Sequence, residues 1–204
     1  MNTTIVNVFI VHRMALQVSI WQQILKSQGW AGVALPSTME LKQLFLSIEV
    51  KNNLSLPSVL LLDEGIPGLD ALEFCQWMQS RPQSIPVVLL TNHLNERITL
   101  TERQYRQEKG AFDVLPPFSE GAIAIEAVNA LKCVVAAFGD VETSNNALVS
   151  CIMDLKRAFE AESKPSPPPT ITPSIAQNPA TVTPTASPTE LKKDKVRKYR
   201  GRDY

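Results

Sequence analysis

The sequence predicts an α/β fold, a doubly wound parallel sheet of five strands with helices on both faces. Apolar segments of strand length alternate strictly with amphipathic segments of helix length, which implies parallel strands joined by right-handed crossovers. Ser58–Asp63 is almost continuously apolar, as a strand covered on both faces must be. The chain has 204 residues, of which 44% are hydrophobic, enough for one domain of ordinary size.

The predicted strands and helices alternate along residues 1–138 and are joined by short loops. The strands are predicted at Ile5–Val11, Trp30–Leu35, Ser58–Asp63, Pro86–Thr91 and Phe112–Leu115. The helices are predicted at Leu16–Gln28, Thr38–Val50, Asp70–Ser80, Asn95–Lys109 and Glu120–Phe138. Helical periodicity is clearest in the first and fifth helices, where apolar side chains recur every three or four residues.

Three further segments follow the predicted domain. Residues 139–163 read as an amphipathic helical extension, whose apolar side chains recur at Val141, Leu148, Ile152, Leu155 and Phe159. This stripe must be covered either by the domain itself or by a second helix, which would make 141–159 a homodimer or partner contact. Residues 164–188 contain eight prolines and eight serines or threonines, a composition typical of a disordered linker.

The last segment, 189–204, is predicted to be a basic tail. The formal net charge of the chain is zero, but 1–163 carry 17 acidic and 12 basic residues whereas 164–204 carry 3 and 8. Candidate binding residues in the tail are Lys192, Lys193, Lys195, Arg197, Lys198, Tyr199, Arg200, Arg202 and Tyr204. The tail could dock on a protein surface, or bind nucleic acid in a weak, salt-sensitive way.

Several classes of protein are disfavoured by the sequence. No segment approaches the ~20 consecutive apolar residues that cross a bilayer, and no basic region precedes the first apolar segment, so we predict a cytoplasmic protein without a membrane partner. Cys75, Cys133 and Cys151 share no metal-binding or disulfide spacing and are predicted to be buried small side chains.

The candidate site lies at the carboxyl ends of the strands, where open α/β sheets place their ligands. Asp63 ends the third strand and is followed by a turn at Pro67. The other candidate positions follow the first, fourth and fifth strands, and they are His12, Arg13, Thr91, Pro116 and Pro117.

Over roughly residues 4–138 these motifs resemble the receiver domain of response regulators, a CheY-like, flavodoxin-type fold with sheet order 2-1-3-4-5. Asp63 with Pro67, Gly68 and Asp70 resembles the phosphoacceptor strand and its loop, PVVLLT resembles the fourth strand, and GAFDVLPPF resembles the fifth strand and turn. The resemblance implies that Asp63 is phosphoacceptor-like and that Thr91 carries the switch hydroxyl. It also implies Mg²⁺ as cofactor and a histidine kinase as partner.

The departures from this family decide the expected function. Receivers carry an acidic pair for Mg²⁺ after the first strand, where this chain has His12 and Arg13, which should repel a dication. The turn LPPF also lacks the lysine that contacts the phosphoryl group in the family. We therefore expect a pseudo-receiver, with neither enzyme activity nor cofactor, that signals by binding a protein. Arg13 would either pair with Asp63 or contact a phosphoryl group.

Two alternatives stay open at this point. The first is a stand-alone response regulator, phosphorylated on Asp63 in a histidine-kinase phosphorelay with Mg²⁺. The second is a nucleic-acid-associated adaptor that acts through the basic tail.

Overall fold

The computed structural model describes residues 6–51, 56–92, 98–139 and 141–162. Its strands are β1 (Asn7–Val11), β2 (Ala31–Leu35), β3 (Val59–Asp63), β4 (Val87–Leu90) and β5 (Asp113–Leu115). Its helices are α1 (Ala15–Ser27), α2 (Leu41–Lys51), α3 (Ala71–Gln79), α4 (Leu100–Glu108), α5 (Ile123–Phe138) and α6 (Asn145–Glu162). All strand pairs are parallel and the order is β2-β1-β3-β4-β5, which confirms the predicted fold class.

The sheet separates two apolar clusters, as its alternating side chains require. One cluster joins the sheet to α1, α5 and α6 and includes Trp21, Leu131 and Val134. The other joins it to α2 and α3 and includes Phe45 and Phe74. All five residues of β3 are buried, because this strand is central and covered on both faces.

Helix α6 packs on the domain itself. Leu148, Ile152 and Leu155 are buried, and α6 contacts α1 and α5. The backbone N–H of Ser144 donates to Gln28 Oε1 at 2.8 Å, which fixes the start of the helix against the end of α1. The apolar stripe that suggested a homodimer through 141–159 is therefore covered within the chain.

Three helix starts lie three or more residues after the predicted ones, and one of them is α5, which begins at Ile123 rather than Glu120. Helix α2 begins at Leu41 rather than Thr38, because residues 36–39 form a turn in which the Met39 N–H donates to the Pro36 carbonyl at 3.0 Å. Helix α4 begins at Leu100, where Thr99 and Glu102 form a reciprocal capping box.

Some predictions concern residues outside the described part of the chain. These are the positions 93–97 at the start of the predicted fourth helix, the linker 164–188 and the tail 189–204 with its nine candidate residues. Within the described part, no helix combines the length and apolar character that spanning a membrane would require.

Candidate functional site

Asp63 closes the central strand β3, between β1 and β4, and its side chain is completely buried. The chain then turns at residues 66–69, where the Leu69 N–H donates to the Ile66 carbonyl at 3.2 Å. Gly68 has φ +79°, the left-handed value that the third position of a type II turn demands after a proline. The predicted Pro67-Gly68 turn is thus present, and it leads to Asp70, which caps α3.

Four donors surround the Asp63 carboxylate. Oδ2 accepts the backbone N–H of Arg13 at 3.1 Å and its Nε–H at 3.0 Å. Oδ1 accepts the backbone N–H of Gly65 and the side-chain amide of Asn92, both at 2.8 Å. Each oxygen therefore has two hydrogen bonds, and one of them comes from a guanidinium that is itself partly exposed.

These bonds hold Asp63 in its charged form. Burial acts to raise the pKa of the carboxyl group, since it disfavours the ionised state. The hydrogen bonds from Arg13, Gly65 and Asn92 favour that state, and together they outweigh burial, so the pKa lies below its ordinary value. Asp63 is thus an ionised carboxylate whose charge is neutralised by its neighbours.

The close packing of Arg13 and Asn92 depends on a glycine. A Cβ at Gly65 would collide with Asn92 Nδ2 and with the guanidinium of Arg13. A side chain at position 65 would require the Arg13 guanidinium and the Asn92 amide to shift from the positions in which they cover Asp63. The absence of a side chain at Gly65 is therefore part of how the carboxylate is covered.

His12 is buried beside this cluster as a neutral imidazole. Its Nδ1 lies 3.5 Å from Asp63 Oδ2, but the same nitrogen accepts the Met14 N–H at 3.0 Å and so carries no proton. Burial lowers the pKa of His12, and it exceeds the opposing attraction of Asp63. The contact between His12 and Asp63 is thus not an ion pair.

Thr91, the residue predicted to carry the switch hydroxyl, directly follows the neighbouring β4 and is buried. Its Oγ1 and the Nε2 of His12 are two buried polar atoms without a hydrogen-bond partner among the described residues. Thr91 does not donate to Asp63, whose second side-chain donor is the adjacent Asn92. The two residues after β4 therefore have different surroundings.

The turn after β5 is fixed to helix α1. The amide of Gln17, which is buried, donates to the Phe118 carbonyl and accepts the Phe118 N–H, both at 2.9 Å. The rings of Trp21 and Phe118 meet edge to face at 5.1 Å. The predicted pocket residues Pro116 and Pro117 lie within this anchored turn, and their rings can donate no backbone hydrogen bond to Asp63.

Sequence reasoning missed three residues of the site as functional. Asn92 was visible as a polar residue after an apolar strand, in a place where small residues are usual. Gly65 and Gln17 gave no such signal, because a glycine in a turn and a glutamine in a helix are ordinary. Only the fold brings them to Asp63 and Phe118.

The residues present do not fit a magnesium site of the receiver kind. Such a site needs several oxygen ligands around the cation. Each oxygen of Asp63 already accepts two hydrogen bonds. Its neighbours His12 and Arg13 offer no carboxylate. Within the described residues, no group of three or more histidine, cysteine or acidic side chains could hold a metal ion.

The sheet order 2-1-3-4-5 with an acid at the carboxyl end of β3 defines a doubly wound, flavodoxin-like protein. Similar solved structures include a response regulator receiver protein from Burkholderia phymatum, at 22% identity over 66% of this chain and 95% of that one, with a TM-score of 0.48. The response regulator domain of Thermotoga maritima CheB is 19% identical over 68% of this chain and 99% of that one, with a TM-score of 0.48.

A third similar structure is the Mn²⁺-bound form of response regulator Rcp1, at 17% identity over 67% of this chain and 97% of that one, with a TM-score of 0.48. No protein-family model and no curated protein matches the sequence. The similarity therefore concerns the fold.

Proposed function

We propose that this protein is a pseudo-receiver of two-component type, a signalling module that acts by binding a protein partner rather than by accepting a phosphoryl group. The observation that carries the proposal is the covered carboxylate: Asp63 is completely buried, and both its oxygens are hydrogen-bonded by Arg13, Gly65 and Asn92.

The covered state opposes acyl phosphate formation for a simple chemical reason. An aspartate attacks phosphorus with an oxygen lone pair that faces the donor in line, and the charge on the transferred group must be neutralised by a metal and a nearby cation. Here the lone pairs are already used by four donors. Arg13, the nearest cation, is already paired with Asp63 itself.

The anchored turn after β5 supports the same function. A receiver changes its surface in response to phosphorylation, so the loops at the site must be able to rearrange. In this chain Gln17 and Trp21 hold Phe118 from helix α1. We infer a surface that is held in one state and read constitutively by the partner.

The test is phosphorylation in vitro. Full-length protein is incubated with acetyl phosphate and Mg²⁺, and its mass is measured intact, with Asp63→Asn as the matched control. We expect no adduct on either protein, and no Mg²⁺ binding by calorimetry at millimolar concentration. The double variant His12→Asp, Arg13→Asp should gain measurable Mg²⁺ affinity, because it replaces a neutral imidazole and a cationic guanidinium by two carboxylates.

A second candidate function is the phosphorylated response regulator, with Asp63 receiving its phosphoryl group from a histidine kinase. One observation favours it: the buried hydroxyl of Thr91 has no partner among the described residues, and Thr91 directly follows β4, the strand paired with that of Asp63. A Mg²⁺-dependent adduct on the wild-type protein that is absent from Asp63→Asn would establish this function and refute the pseudo-receiver.

A third role, nucleic-acid binding through residues 189–204, stays a prediction from composition. Partners captured by the full chain but not by a chain that ends at Pro188 would be those that bind residues 189–204. Fluorescence titration of the isolated tail with single-stranded DNA at two salt concentrations would test the nucleic-acid role directly.

A further inference from the structure

We infer that strand β2 is a docking edge for a second copy of this chain, paired strand to strand about a twofold axis at Val33. The inference is independent of whether Asp63 is phosphorylated. It starts from the position of β2, which is the outermost strand on one side of the sheet.

The two edges of the sheet are protected very differently. The β5 edge is only three residues long, carries Asp113 paired with Arg103 at 3.0 Å, and runs into Pro116 and Pro117. Short strands, charges and prolines are the usual means by which proteins prevent edge pairing. The edge that β5 offers is therefore closed to a further strand.

The β2 edge is longer and carries no charge, although it too is followed directly by a proline, Pro36. Its five residues, AGVAL, include no charge, no proline and no long polar side chain. Ala31, Val33 and Ala34 are exposed, with Val33 at 39%. Gly32 has no side chain, and a Cβ there would lie 2.9 Å from a methyl carbon of Leu25. The missing side chain therefore lets α1 pack closely on the face of this strand, and it adds no bulk beside the free edge.

The backbone groups that face outward can be identified from the pairing with β1. The Ala31 N–H donates inward to Val6 at 2.9 Å, and Asn7 lies opposite Ala31. Because successive residues of a strand direct their peptide groups to opposite sides, Val33 and Leu35 also face β1, whereas Gly32 and Ala34 face outward. The one described side chain that bonds this edge is Gln22, whose amide donates to the Gly32 carbonyl at 3.2 Å.

The outward N–H and C=O groups of Gly32 and Ala34 can bond to the same groups of a second copy. A twofold axis at Val33 places Gly32 opposite Ala34 of an antiparallel copy, and Ala34 opposite Gly32 of that copy. Each pair then exchanges two N–H···O bonds, the narrow pairing of antiparallel sheets. The Gly32 carbonyl has a second lone pair for this bond beside that used by Gln22. The two Val33 side chains meet at the axis, and because both are apolar they do not repel each other.

A second copy is the occupant that this edge fits best. Twofold pairing is the commonest symmetry of homo-oligomers, and it requires one surface to match itself. The β2 edge meets that condition because Gly32 of one copy lies opposite Ala34 of the other, and because the strand carries no charge that would repel its own copy. The stripe of α6, the other place where a second copy was expected, is already buried against α1 and α5.

Sedimentation equilibrium of the full chain over a wide concentration range tests the proposal. We expect reversible dimers. Val33→Lys should raise the dimer dissociation constant roughly tenfold or more, because like charges would meet at the axis. The matched control is Val149→Lys on the outer face of α6, which makes the same change at a side chain that is 60% exposed and should leave the dimer intact.

Mixing variants tests the twofold geometry itself. Val33→Lys and Val33→Glu should each dimerise poorly, and their mixture should dimerise well, since residue 33 meets its own copy. Hydrogen exchange tests the wild-type protein without any substitution. The Gly32 and Ala34 amides should exchange more slowly at high protein concentration, because they are hydrogen-bonded in the dimer. A chain that stays monomeric, a dimer indifferent to Val33→Lys, or fast exchange of these two amides in the dimer would overturn the proposal.

Discussion

Asp63 illustrates how hydrogen bonds from neighbouring residues can accompany the burial of a carboxylate. Removing a carboxylate from water is costly, and it is tolerated only when hydrogen bonds replace the lost hydration. Arg13 supplies the opposing charge, while Gly65 and Asn92 supply the remaining donors. A buried pair of this kind adds little net stability as a whole, yet removing one partner is expensive because the other stays buried.

Replacing Arg13 by alanine should therefore destabilise the domain by about 1.5–3 kcal/mol, the usual range for a hydrogen bond to a charged group. The measurement is urea unfolding followed by circular dichroism. Arg13→Lys keeps the charge but loses the planar Nε–H donor, and we expect an intermediate loss. Equal stability of all three proteins would show that the guanidinium does not hold Asp63.

The pH dependence of stability should have two components. The pKa of His12 lies below its ordinary value of 6.5, so its contribution is complete above pH 6.5 and is lost as the pH falls from there toward the lowered pKa. Asp63, with a pKa below its ordinary 3.8, contributes in the same sense at lower pH, and its contribution disappears as the pH falls below 3.8.

His12→Asn separates the two components. Asparagine can accept the Met14 N–H in an Asx turn but does not titrate. We expect the free energy of unfolding of this variant to lose the decline just below pH 6.5 and to keep the decline below pH 3.8. If the variant and the wild-type protein decline alike just below pH 6.5, another group is responsible.

At the scale of elements, α6 is a part of the core rather than an appendage. Leu155 is only 2% exposed and belongs to the cluster that α1 and α5 form with the sheet. Leu155→Ala should cost about 2–5 kcal/mol, the range for a buried leucine. Met153→Ala, at a position that is 49% exposed on the same helix, is the control and should be nearly neutral. Thermal or urea unfolding gives both values.

The sequence predicts elements better than it predicts contacts, and the reason is physical. Apolar periodicity reports which face of a helix is buried, so Leu148 and Leu155 were visible as a stripe. Periodicity does not say which surface covers the stripe. The same limit applies to Asp63, whose place at a strand end follows from the pattern but whose donors Gly65 and Asn92 depend on loop geometry.

At the scale of the whole molecule, charge is divided between the two ends of the chain. Residues 1–163 carry a net charge of −5 and 164–204 a net charge of +5. The predicted proline-rich linker 164–188 separates the basic tail from the domain, so the tail is expected to contribute little to the stability of the domain. Its charge would act on the partner and on the rate of encounter instead.

Deleting Thr189–Tyr204 should accordingly leave the melting temperature nearly unchanged. Differential scanning calorimetry of the full and shortened chains at the same ionic strength measures this. A chain that ends at Phe138 is the contrasting case, since it also lacks α6 and should melt lower or aggregate. A fall of several degrees on removing the tail alone would mean that it packs on the domain.

The glycine at position 65 also constrains how the sequence can evolve. A side chain at position 65 would collide with the ends of the Arg13 and Asn92 side chains, so it could be gained only if those two groups moved away from their present positions. Conversely, losing Arg13 first leaves a buried carboxylate with fewer donors, and each intermediate is less stable than its parent. The three positions are epistatic. We therefore expect substitutions at these three positions to be tolerated together more readily than singly.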